Sequence, residues 1–189
     1  MSAPQHIPVL LEEVLQATSP QAGDAVIDCT LGLGGYARRF LDATAPAGRL
    51  LGLDRDAETL QLACAQLQSY GNGFQSVHAS FAALASVAKD FPPPNIIVAD
   101  LGLSSVVLDA PVRGFSFLHD GPLDMRMDQS QGRTAADIVN TAGERELATL
   151  LKDYGEEPKA RTIAKAIVLQ RKLRPFTRTQ ELVEVVDAA

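Results

Sequence analysis

The chain has 189 residues, 46% of them hydrophobic and 21% charged, with a formal net charge of −6; this is the composition of an ordinary globular protein, with room for one substantial core or one domain plus a modest addition. Its longest apolar runs, such as "IIVADLGL", include a charge and fall far short of the ~18 residues a membrane helix needs, which points to a soluble protein without a membrane partner. The N-terminus lacks a basic leader, and Cys29 and Cys64 lack C-x-x-C spacing, so a cytoplasmic protein with two reduced core thiols, no disulfide and no metal site is expected.

In chain order, "HIPVLLEEVL" reads as a short helix after an extended arm, in which His6 is either a site-lining or an ordinary structural residue. "AVIDCT" is an apolar run suited to a buried parallel strand. The glycine loop of "DCTLGLGGYARRF" and a helix follow. "RLLGLD" makes a second strand ending at Asp54, and "AETLQLACAQLQSY" a helix stopped at Gly71. "FQSVHA" is a third strand, "SFAALASVAKDF" a helix broken by three prolines at 92 to 94, and "NIIVADLG" the fourth strand. This alternation predicts an α/β fold: a parallel sheet built by right-handed crossovers and covered by helices. Residues 109 to 133 read as loop, and the rest as helical. Thr141 with Glu144, and Thr177 with Gln180, predict capping boxes, and "KARTIAKAIVLQRKL" an amphipathic basic helix ended by Pro175.

The overall charge hides an asymmetry. Between Lys152 and Arg178 eight basic residues face three acidic ones, so this segment is +5 and the remainder −11. It is either a polyanion contact or a solvated helix face.

Gly32, Gly34 and Ala37 satisfy G-x-G-x-x-G/A, in which a strand turns into a helix beneath a nucleotide. A dinucleotide would set its diphosphate over the loop, where amides and the helix dipole favour anions. Asp28 opposes that. The order Asp28-x-Thr30-x-Gly32-x-Gly34 suits S-adenosylmethionine, whose sulfonium and ammonium a carboxylate attracts and whose single carboxylate the helix N-terminus can accept. Asp54 stands where an acidic side chain binds ribose hydroxyls, and both cofactor classes use it. Plainer readings remain open: Asp28 as a carboxylate bonded to loop amides, Asp54 as a loop or helix-capping residue. Asp100 and the following "LGLSS" should face the transferred group. An exocyclic amine acceptor needs hydrogen-bond acceptors and in-line placement, for which Asp100, backbone carbonyls near Leu101, and Ser104 or Ser105 are candidates. Both serines also suit plain turn roles.

With those residues in view, the chain resembles the bacterial 16S ribosomal RNA cytosine-N4 methyltransferases, the MraW or RsmH family. "HIPVLLEEVL", "IDCTLGLGGYARRF", "GLDRD", "ADLGLSS", "RGFSF", "DGPLDMRMD", "YGEE" and "RTQELVEVV" occur in family order. The resemblance implies a class I methyltransferase sheet, its first four strands in residues 1–107. A helical insertion in 108–189 would engage RNA, with the remaining strands expected beyond residue 189 and an exposed sheet edge open to a homodimer. It implies S-adenosylmethionine as cofactor and 16S ribosomal RNA in the small ribosomal subunit as partner. Cofactor contacts fall on Gly34, Gly35, Tyr36, Asp54, Phe81 and Asp100, to which the Asp28-x-Thr30-x-Gly32-x-Gly34 pattern adds Asp28 and Gly32. Catalytic positions are Asp100, Ser104 and Ser105. Lys159, Arg161, Lys165, Arg171, Lys172 and Arg174 form the RNA contact. Two positions depart: Tyr36 replaces the family's His, and Val107, which cannot hydrogen-bond, replaces its Gln. In "DGPLDMRMD" an extended chain would put Asp124, Arg126 and Asp128 on one face, as an ion-pair ladder or as a loop over the acceptor base, and Leu123, Met125 and Met127 on the other. Rival functions are a noncatalytic RNA-binding assembly factor and an NAD-dependent oxidoreductase.

Overall fold

The computed structural model describes residues 8–189; His6 and the expected arm, and the side chain of Ser105, lie outside the described residues. Two compact units follow one another, Met1–Ser104 and Ser105–Ala189.

The first unit holds α1 (Leu11–Thr18), β1 (Ala25–Asp28), α2 (Gly35–Thr44), β2 (Arg49–Asp54), α3 (Ala57–Leu67), β3 (Phe74–His78), α4 (Leu84–Val87) and β4 (Ile96–Val98). All strand pairs are parallel, in the order β3-β2-β1-β4. Both faces are covered, which is why β1 and β2 read as nearly unbroken apolar runs. Val26 and Leu50 face a core with Tyr36, Ala37, Phe40, Leu41, Ala63 and Leu67 from α2 and α3. Ile27, Leu51 and Leu53 face the other way, onto Leu84, Val87, Ala88 and Phe91. Asp56 starts α3, its Oδ1 accepting the Thr59 amide at 2.9 Å.

Four expectations change here. The helix expected to stop at Gly71 ends at Leu67 and passes into a 3-10 stretch, Gln68–Gly73. "SFAALASVAKDF" is not one helix: Phe81–Ala83 is a 3-10 turn and α4 spans four residues, because laying Leu84, Val87, Ala88 and Phe91 on the sheet overrides the helical propensity of its alanines. The first strand stops at Asp28, where the chain turns. The fourth stops at Val98, leaving Asp100 on irregular backbone.

The second unit holds α5 (Ser105–Asp109), α6 (Ala135–Thr141), α7 (Glu144–Asp153), α8 (Ala160–Leu173) and α9 (Thr179–Asp187); α6 to α9 pack around Leu123, Val139, Leu147, Ile163, Ala164, Ile167 and Phe176. The capping boxes lie elsewhere than predicted. Thr134 and Asp137 form one at α6, whereas the Thr141 hydroxyl donates back to Asp137 O. Glu146, not a threonine, serves α7, accepting the Gly143 amide. At α9 it is Glu181 rather than Gln180 that accepts the amides of Thr177 and Arg178.

"DGPLDMRMD" is not extended. Met125 takes a left-handed φ of 60°, which buries Leu123 and exposes Met125. Arg126 grips Asp124 through two bonds of 2.9 and 2.8 Å and holds its carboxyl below the ordinary range. Asp128 turns instead to Ser130. Arg113, buried, donates to the carbonyls of Arg126 and Met127 at 3.0 Å. The Arg126–Asp124 pair and the Arg113 clamp on the backbone stand where a ladder along one extended face was expected.

Arg171 is built into this core. Its Nη1 donates at 2.7 Å to the carbonyls of Val139 and Ala142, closing the C-terminus of α6, where cationic donors are favoured. Arg171→Met keeps the stem but strands both carbonyls, and is expected to lower unfolding free energy by about 1–3 kcal/mol in denaturant titrations. Lys165→Met or Lys172→Met, at exposed positions, should change it by less than ~0.5 kcal/mol.

Candidate cofactor site

In an open parallel sheet the ligand crevice lies beyond the carboxyl ends of the strands, where the strand order reverses. Here that point is between β1 and β4. Asp28 ends β1, Asp54 ends β2, and Asp100 lies two residues past β4.

The loop after β1 uses its own amides. Cys29 donates to Val98 O, Leu31 to Leu53 O and Gly34 to Leu31 O; Thr30 donates to Asp28 Oδ1 and Gly32 to Asp54 Oδ2. Of the amides between Cys29 and Tyr36, only those of Leu33, Gly35 and Tyr36 have no partner among the described residues. A diphosphate needs a nest of outward amides; this loop has turned most of its own inward. What remains, at the start of the ten-residue helix α2, suits a single carboxylate. Gly34 makes the turn possible: it sits at φ 82°, and a Cβ there would meet Leu67 Cδ1 at 2.9 Å.

The acidic residues divide the work. Asp54 is a loop clasp, Oδ2 on the Gly32 amide at 2.8 Å and Oδ1 on the Asp56 amide at 2.9 Å; only remaining lone pairs could take a ribose hydroxyl. Asp28 is 1% exposed. Its Oδ1 accepts the Thr30 amide at 3.0 Å, and its Oδ2 is buried with no partner among the described residues. Burial pushes its carboxyl up from 3.8 to about 7, against the Thr30 bond, and the nearby charges of Asp54 and Asp100 push the same way. Asp100 is exposed, its carboxylate taking no hydrogen bond from a described residue while its amide donates to Thr30 Oγ1 at 2.7 Å. A buried oxygen without a donor beside an open carboxylate is a site deficient in positive charge. Among the described residues the acids do not converge into a metal-binding group.

The other expected positions are scattered around this centre. Tyr36 is packed into the core, and burial, then Asp100, Asp28 and Glu13, push its phenol up. The Phe81 side chain, at the turn after β3, is 46% exposed, available to stack on a flat ring. Ser104 is half-buried and Val107 buried. Sequence reasoning gave no role to Thr30, which bonds to Asp28 and to Asp100 beyond the end of β4; the signal was Asp-x-Thr at a strand end, the spacing of an Asx turn.

In the second unit, Arg161, Lys165 and Lys172 share one exposed stripe of α8, with Lys159 just before it. Arg174 pairs with Glu181 at 3.0 Å, and Arg171 faces inward as described. Among the described residues no helix is long and apolar enough to cross a membrane.

A sequence model of the MraW methylase family matches residues 3–189. The chain is 47% identical over 186 residues to ribosomal RNA small subunit methyltransferase H of Geobacter sp. (strain M21), covering 97% of this chain and 60% of that protein. It is 46% identical over 191 residues to the protein of that name from Geotalea uraniireducens (strain Rf4), covering 100% and 61%. To that of Nocardioides sp. (strain ATCC BAA-499 / JS614) it is 44% identical over 193 residues, covering 100% and 60%. The chain thus spans about three-fifths of the length of these relatives.

The raised Asp28 carboxyl fixes the sign of a pH effect. Its folded-state pKa lies above its unfolded value, so the stability it confers is complete below about pH 4 and is lost as pH rises through about 7. Asp54, Asp100, Tyr36 and Cys29 are the titratable groups around it. The melting temperature of the free chain should fall across that window, and Asp28→Asn should flatten the fall. An equal slope in the variant would contradict the assignment.

Proposed function

The chain belongs to the MraW methylase family, with four parallel strands of a class I methyltransferase sheet, and from that premise we propose that it binds S-adenosylmethionine and serves N4-methylation of a cytidine in 16S ribosomal RNA. The observation that carries the cofactor choice is the buried oxygen of Asp28, without a partner among the described residues, beside the open carboxylate of Asp100, behind a loop whose amides are mostly consumed. A cationic ligand with one carboxylate fits these residues. A diphosphate does not.

The amides of Gly35 and Tyr36 would hold the cofactor carboxylate, Phe81 the flat adenine, Asp54 the ribose through lone pairs its clasp leaves over, and Asp28 with Asp100 the cationic part. Bound there, S-adenosylmethionine supplies an electrophilic methyl on sulfur. The protein's task is then to hold the amine nitrogen in line with that methyl. Asp100 accepts one N–H of the exocyclic amine and takes up the proton released as the N–C bond forms and the S–C bond breaks. Ser104 and Ser105 follow Asp100 in sequence and are the further acceptors of the proposal. No covalent enzyme intermediate is needed, and the base must leave its stack to reach the strand ends.

For RNA, the stripe of Arg161, Lys165 and Lys172 with Lys159 is the proposed backbone contact. Arg174 joins only by leaving Glu181, and Arg171 contributes field rather than contact. The small ribosomal subunit as partner, and the cytoplasm as location, follow from that substrate. A homodimer would use the edge of β4, which pairs only with β1 among the described strands.

Calorimetry tests the cofactor: S-adenosylmethionine should bind and NAD should not, and the reverse would overturn the choice. Lys165→Gln with Lys172→Gln should flatten the salt dependence of RNA binding by a slope of about 1–2 while leaving cofactor affinity unchanged. An unaltered slope removes α8 from the interface. Labelled methyl incorporated into small subunits, mapped to a cytidine N4, supports the activity; RNA binding without transfer in that assay supports a noncatalytic assembly factor instead.

A further inference from the structure

One residue to which the chemistry above gives no part ties the turn at Asp28 to Asp100, beyond the end of β4. Thr30 donates its amide to Asp28 Oδ1 at 3.0 Å. Its Oγ1 accepts the amide of Asp100, seventy residues later, at 2.7 Å. Asp100 is exposed and lies beyond Val98, the last residue of β4, so the strand ladder does not hold it. Its amide depends on the Thr30 hydroxyl. The hydroxyl's own proton has no acceptor among the described residues.

Resting on the reading that this site takes S-adenosylmethionine, we propose that Thr30 is a positioning residue: by fixing the Asp100 main chain to the Asp28 turn, it aims the Asp100 carboxylate into the cofactor crevice. The residue type suits the task. A hydroxyl oxygen accepts an amide, and a β-branched side chain holds a single χ1 more stiffly than serine. Valine has nearly the same shape and no acceptor. Because Asp100 is exposed, an amide released from Thr30 passes to water at little cost to the fold, and what is lost is the placement of the carboxylate. A tie that served only stability would behave in the opposite way, weakening the fold and leaving ligand affinity intact in whatever folds.

The test compares Thr30→Val, Thr30→Ser, Asp100→Asn and the Thr30→Val/Asp100→Asn double variant by calorimetry with S-adenosylmethionine and by thermal unfolding without it. Thr30→Val should melt within ~3 °C of the wild type and bind about tenfold more weakly. Thr30→Ser should recover most of that affinity. On the Asp100→Asn background the valine substitution should cost less than threefold, since the charged group it positions is already gone. Wild-type affinity in Thr30→Val overturns the proposal. So does an equal loss on both backgrounds, or a loss that serine does not restore. A wild-type chain that binds no S-adenosylmethionine overturns the cofactor reading itself, and that result is seen before any variant is made.

Discussion

The arrangement at the strand ends depends on a buried carboxylate with one oxygen left over. Asp28 satisfies a single loop amide, and its buried Oδ2 meets no donor among the described residues. Such a group costs the free fold stability and gives it back to a ligand that brings positive charge. Asp54, one strand away, is its opposite. Both of its oxygens are engaged, and through Gly32 it pulls the loop onto the sheet. One acid builds the loop, another is kept unsatisfied, and Asp100 stands open beside them. The glycine spacing that two cofactor classes share therefore acquires a preference from the direction in which its amides point.

The helical unit shows the same economy with cations. Arg171 closes α6 and Arg113 clamps the loop before it, each donating to two carbonyls. These guanidiniums hold the scaffold together. Among the described residues the exposed Arg161, Lys165 and Lys172 of α8 make no such bonds, so the charge surplus of the segment overstates what its surface offers.

Much of this was legible in the sequence. Strands buried on both faces read as apolar runs, and "AVIDCT" and "RLLGLD" were placed to within two residues for that reason. The same runs located Asp28 and Asp54 at strand ends, and Asp100 two residues past one. What each carboxylate does there was not legible, because spacing fixes where an aspartate stands and not which amides reach it. The segment after β3 misled because alanine favours helix wherever it occurs, while the sheet beneath required Leu84, Val87, Ala88 and Phe91 to lie flat. The capping boxes slipped because Thr141 and Thr177 are followed by acceptors at several spacings, and only the helix phase selects one. Arg171 could have been found: it falls on the same helical face as Ala160, Ile163, Ala164 and Ile167, all buried. A cation in the apolar phase of a helix is one the core uses. Met125 gave no warning, since nothing about methionine predicts a left-handed turn.

The most direct measurement is a crystal structure of the chain with S-adenosylmethionine. The account predicts the sulfonium and ammonium lodged on the side of Asp28 and Asp100, the ligand carboxylate on the amides of Gly35 and Tyr36, and the clasp of Asp54 on Gly32 unchanged. A ligand anion seated on Gly32, with Asp54 displaced and Asp28 still unpartnered, would contradict it.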